Sequence, residues 1–170
     1  PYMDPIEPNI DPILMAGVAQ MGKAMTWRMT ADGFTGIANN TSYDGWTPAR
    51  AYQHYHGALR ILTETASAAL ASPTTVAFDS LRAGYNVDPK VTGVDFLTRW
   101  RGGAWTVGDI VKYQLAASWA LLAQAADDRA LWLSSYSAVQ RHSVQGNQAV
   151  GRSDWPATIV IPAQPARDTA

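Results

Sequence analysis

Apolar residues recur at helical intervals in three stretches of this chain. In the first, Leu14, Val18, Met21 and Met25 follow at steps of four, three and four, which lines one face of an α-helix. Asp11-Pro12 stands just before it, an acid suited to the N-cap and a proline suited to the first helical position. Asp32-Gly33 closes the run, so a helix is predicted over residues 13–29. Its methionines read as core filler rather than as a cofactor box, because the flexible thioether fills irregular gaps. In the second stretch Thr106-Val107-Gly108-Asp109 forms a capping box, followed by Val111, Leu115, Trp119, Leu122 and Ala126 at steps of four, four, three and four. Asp127-Asp128 restarts the pattern, with Trp132, Tyr136 and Val139 on one face of a further helix reaching Gly146. Trp119 and Trp132 are therefore expected to be largely buried between these two helices.

Elsewhere the period changes or disappears. Residues 59–65, Leu59-Arg60-Ile61-Leu62-Thr63-Glu64-Thr65, make a compact strand candidate with β-branched residues. That strand would deliver Glu64 to its C-terminal end, the edge where open α/β sheets bind ligands. Residues 33–50 read as loop, most clearly at Asn39-Asn40-Thr41-Ser42-Tyr43-Asp44-Gly45. Asn40-Thr41-Ser42 also fits the N-glycosylation acceptor pattern, a short match of little weight. Residues 72–105 are punctuated by Pro73, Gly84, Pro89, Gly93 and Gly102-Gly103 and read as mostly irregular. Thr158-Ile159-Val160-Ile161-Pro162 reads as a strand with a loose tail, and the proline-rich start as an extended loop. Both ends look cut rather than finished. The expected fold is α/β, the closing half of a mixed β-sheet flanked by helices and ending in a helix pair. It spans residues 1–157, with 158–170 as a strand and tail that could begin a following region.

Composition narrows the function. A chain of 170 residues, 47% hydrophobic and 16% charged, suits one packed domain and argues against disorder. A formal charge of -1 gives no electrostatic case for nucleic acid or an anionic membrane surface. There is no cysteine, which excludes disulfides, thiol catalysis and cysteine-rich zinc sites. No apolar run is long enough for a membrane span, and the first residues have no signal-peptide pattern. Seven tryptophans and seven tyrosines belong first of all to core and interfaces.

The candidate chemistry is sparse. His54 and His56 share a face only if their segment is a strand, and a catalytic zinc needs three protein ligands. They read either as part of such a site or as polar structural residues beside one. His142, late in its helix and near the negative end of the dipole, reads as structural. Glu64 has apolar residues before it and few charges nearby; it is functional, or an exposed strand end, or held in a structural hydrogen bond. Tyr43 offers a phenol in a glycine- and asparagine-rich loop. There is no Gly-x-Ser-x-Gly elbow and no phosphate-binding Gly-Lys loop.

Taken together, several blocks resemble a bacterial branch of the carboxypeptidase A-like zinc peptidase family, in its C-terminal half. They are Pro1-Tyr2-Met3-Asp4-Pro5, Asn40-Thr41-Ser42-Tyr43-Asp44-Gly45-Trp46, His54-Tyr55-His56-Gly57 and Ile61-Leu62-Thr63-Glu64-Thr65-Ala66-Ser67. Trp100-Arg101-Gly102-Gly103-Ala104-Trp105 and Asp109-Ile110-Val111-Lys112-Tyr113 complete the set. The sharpest local signal is Tyr43 followed 21 residues later by Glu64. The resemblance implies that Glu64 is the general base and that Tyr43 closes over the peptide's C-terminal residue. It implies a peptide substrate, a secreted or periplasmic setting, and a zinc ion. The family's His-x-x-Glu, its later histidine and its substrate-binding arginines all precede this segment, so the metal ligands are not in this chain. Arg50, Arg60 and Arg82 carry no motif to replace those arginines. The upstream half of the catalytic domain becomes the implied partner, without which the chain is inactive. A non-catalytic peptide- or carbohydrate-binding scaffold of the same ancestry is the alternative.

Overall fold

The computed structural model describes residues 10–41, 47–69 and 72–145. Among these residues four α-helices and a two-stranded sheet form in the order α1 (Pro12–Ala31), α2 (Pro48–Tyr55), β1 (Thr74–Ala77), β2 (Gly102–Trp105), α3 (Val107–Asp127) and α4 (Arg129–Gln145). The mixture of helix and strand agrees with the expected class in its coarse form. The sheet itself is a single antiparallel pair, with Thr74 opposite Trp105 and Ala77 opposite Gly102.

Helix ends follow from the residues at them. Asp11 accepts a hydrogen bond from the Ile13 N–H at 2.8 Å, and Pro12 opens α1 with its preset φ. At the other end Gly33 takes φ +88°. The Gly33 N–H reaches the Thr30 carbonyl at 3.0 Å and the Phe34 N–H reaches Met29 at 2.9 Å, which closes a Schellman motif. Thr106 and Asp109 form the reciprocal box at the start of α3, with the Thr106 N–H donating to Asp109 Oδ2 at 2.9 Å. All three helices foreseen from periodicity are present. Helix α2 was not foreseen, although Thr47-Pro48 repeats the signal of Asp11-Pro12: Thr47 accepts from the Arg50 N–H at 3.1 Å.

The core lies between α1 and α3. Met21, Met25 and Met29 pack against Ala117 and Ala120, with Phe34, Ile37, Ile61, Tyr113 and Trp132 around them. A smaller cluster of Ile10, Leu14, Ala51 and Val139 joins α1 to α2 and α4. His142 Nδ1 lies 2.6 Å from Asp11 Oδ2, so the end of α4 is tied to the start of α1. This is the structural role expected of that histidine. Behind the core, four rings interlock edge to face. Phe34 meets Tyr113 at 4.8 Å, Tyr113 meets Trp105 at 5.2 Å, and Trp105 meets Trp100 at 5.9 Å between centroids. Gly102 takes φ +82° and passes so close to β1 that a Cβ would sit 2.7 Å from the Phe78 nitrogen. A side chain there would part the two strands.

Two expectations are corrected. The segment 59–65 is not a strand of the sheet; it runs outside the β1–β2 pair. Trp119 is not buried: it is 69% exposed, with Leu115 at 54% and Leu122 at 58% beside it. The step of three and four was real, but it marks the outer face of α3. The inner face carries Ala116, Ala117 and Ala120 with Tyr113, small enough for a close approach to α1.

Truncation separates the two faces. Met25→Ala should lower the unfolding free energy by about 2–5 kcal/mol, the range for large core side chains. Trp119→Ala should cost under about 1 kcal/mol, as exposed substitutions do. Urea melts of the two variants check this, and equal losses would place Trp119 inside.

Candidate functional site

Glu64 sits in the segment joining α2 to β1. Ile61 is packed on the α1–α3 core. Two and four residues further on, Thr63 and Thr65 both meet the Gln114 side chain of α3. The Thr63 hydroxyl donates to Oε1 at 3.1 Å, and Nε2 donates to the Thr65 hydroxyl. The Trp105 indole N–H then holds the Ala66 carbonyl at 2.8 Å. Residues 61, 63 and 65 thus share the side toward the helices, the alternation of an extended chain. Leu62 and Glu64 are exposed. Glu64 has no hydrogen-bond or charge partner among the described residues. The segment keeps the alternation of the expected strand without belonging to the sheet.

Tyr43 lies outside the described residues, so the expected pairing of lid and base carries no geometry here. The histidines do not converge. His54 is in the last turn of α2, its Nδ1 3.1 Å from the Ala58 carbonyl. His56 caps that helix and stacks on Tyr52 with centroids 4.5 Å apart. Burial pushes the His54 imidazole below its ordinary range; the Ala58 carbonyl opposes this and the Arg60 charge adds to it. Among the described residues no group of three or more His, Asp or Glu is placed to hold a metal ion. A shallow concavity on α4, lined by Ser137, Gln140, Arg141 and Val144, contains a single charge. That guanidinium is held by the Ser137 hydroxyl at 2.7 Å.

The hydrogen bonds of Asp109 have an electrostatic trace. The Thr106 hydroxyl and N–H hold its carboxyl below the usual carboxylate range, because both bonds favour the charged form. Sequence reasoning found this cap. It missed Gln114, the side chain that positions residues 63 and 65. An amide at a half-buried helix position is the only sign it leaves in the sequence.

No protein-family model matches this chain, and no curated protein or solved structure does. No helix among the described residues is long and apolar enough to cross a membrane.

Two measurements follow from this geometry. After desalting at neutral pH the chain should hold no stoichiometric zinc by elemental analysis, since three ligands are needed and none of the described groups supplies them. One zinc per chain, lost on changing His54 and His56, would overturn that. The second concerns pH. His54 has its folded pKa depressed, so the folded state prefers the neutral ring. Its contribution is intact above the unfolded value near 6.5 and is lost as pH falls through the lower folded value. His54→Gln should flatten that part of the stability–pH curve, read by urea melts across the window.

Proposed function

We propose that this chain supplies the general base of a zinc metallocarboxypeptidase that removes C-terminal residues from peptides. What supports the reading is Glu64: its neighbours Thr63 and Thr65 are pinned to Gln114, while its own carboxylate has no partner among the described residues. A group held by its neighbours and unpaired itself has its lone pairs free to accept a proton. The resemblance of residues 61–67 to the family's catalytic strand gives that proton an origin, the attacking water. Glu64 takes it as the oxygen adds to the scissile carbonyl and returns it to the departing amine, so that a shortened peptide and one free amino acid result. The described residues do not fit a zinc ion. On the resemblance, the metal, which would polarise the carbonyl, would be held by a second half carrying the His-x-x-Glu pair. Tyr43 would orient the substrate's terminal residue, in a secreted or periplasmic enzyme.

A second reading has an observation of its own. Trp119 and Trp27 are 69% and 66% exposed, and exposed indoles suit a peptide- or carbohydrate-binding scaffold of the same ancestry. Oligosaccharides that quench tryptophan fluorescence, where peptides do not, would favour it.

The deciding experiment uses the enzyme with both halves present. Glu64→Gln preserves shape and hydrogen bonding but removes the basic oxygen. It should lower kcat by about 10²–10⁴-fold, the usual worth of general acid–base catalysis, with KM changed less. Zinc content should stay the same. Near-full activity with zinc bound would remove Glu64 from the mechanism.

A further inference from the structure

Two cations on the loop between β1 and β2 meet at one oxygen. Nη1 of Arg82 donates to the Asp79 carbonyl at 2.9 Å, and Nζ of Lys90 donates to the same carbonyl at 2.9 Å. The two nitrogens are no further apart than the sum of those distances, and like charges so close repel. Among the described residues no carboxylate is in ion-pair contact with either. The same is true of Arg99, bonded to the Lys90 carbonyl at 3.2 Å, and of Arg101, 5.7 Å above the Phe78 ring. The acids of the loop are otherwise engaged. Asp95 is paired with Lys23 of α1, and Asp88 Oδ1 holds the Lys90 N–H at 2.9 Å. Asp79 gives its carbonyl to both cations and its carboxylate to neither.

The pair is fixed in place by its surroundings. Asp88 takes the Lys90 N–H and Arg99 takes the Lys90 carbonyl, so the ammonium extends from a residue pinned on both sides. Arg82 follows the short 3₁₀ turn Phe78–Ser80, closed by the Leu81 N–H on the Phe78 carbonyl at 3.2 Å. Donors remain on both heads. Arginine has five N–H donors and lysine three. Arg82 uses only Nη1, on the Asp79 and Leu81 carbonyls, and Lys90 uses Nζ once. A carbonyl dipole does not offset two full charges. A phosphate monoester does, with a charge of about −1.5 to −2 and three strong acceptor oxygens. Guanidinium suits it as a planar fork and ammonium as a point charge. A carboxylate brings only one charge.

We propose that Arg82 and Lys90 form a binding site for a phosphate dianion, free or as the monoester of a small molecule. Nε and Nη2 of Arg82 bind its oxygens, and Lys90 neutralises the second charge. Asp88 and Arg99 are positioning residues that act through Lys90. The site depends neither on Glu64 nor on a metal, and it goes beyond the peptidase reading.

Titration of the whole chain with inorganic phosphate and, separately, with glycerol 3-phosphate tests this. Ionic strength is held constant so that screening is the same throughout. Amide shifts of residues 79–90, followed by heteronuclear NMR, should move and saturate with one midpoint. Arg82→Gln and Lys90→Gln should each weaken binding by roughly tenfold or more, as loss of a charge-assisted hydrogen bond does. Arg129→Gln, on α4, should leave it unchanged. Arg82→Lys keeps the charge without the fork, so it should recover part of the loss. Acetate should bind severalfold more weakly than phosphate. Tighter binding of glycerol 3-phosphate assigns an ester as the ligand, and equal or weaker binding assigns free phosphate. Shifts that never saturate, binding unmoved in both glutamine variants, or acetate as effective as phosphate would overturn the proposal. Arg82 and Lys90 would then be ties that fasten the loop to its own carbonyl.

Discussion

The packing of three methionines on two alanines holds this structure together. Met21, Met25 and Met29 form a ridge along α1, and Ala117 and Ala120 form the floor it enters on α3. Each methionine taken out of water contributes about 1.5–3 kcal/mol, and small residues opposite allow the helix axes to come close. Everything else is fixed relative to that contact. Tyr113, one turn before Ala117, donates its hydroxyl to the Thr35 carbonyl at 2.9 Å, so the loop after α1 is tied to α3. Gln114, its neighbour, positions the Glu64 segment. Ile61 and Trp132 close the sides.

The same contact explains why α3 ends up two-faced. A helix that gives its alanine side to α1 must turn its larger residues away, and Leu115, Trp119 and Leu122 are on that side. Periodicity cannot distinguish the two stripes, because both repeat at three and four. What distinguishes them is size: the interior accepted the small residues and left the bulky ones. The expectation for Trp119 failed at this point, since the hydrophobic pattern reports a face and never its neighbour.

Local chemistry was the legible part of the sequence. Asp11-Pro12, Asp32-Gly33 and the Thr106–Asp109 box each carry their partners within a few residues, and each formed as read. Helix α2 shows the limit of reading by periodicity: at eight residues it is too short for a repeating apolar face, and only its cap could have revealed it. The pairing of β1 with β2 joins residues about 30 apart, and Gly102 at positive φ hides in a Gly-Gly pair that reads equally as a turn. Residues 59–65 show the reverse. Their side chains alternate as a strand's do, yet a strand is defined by its partner, and partners are not written in the segment itself. Glu64 was legible as an unusual acid. Gln114, which orients its neighbours, was not, because its significance depends on a contact 49 to 51 residues away.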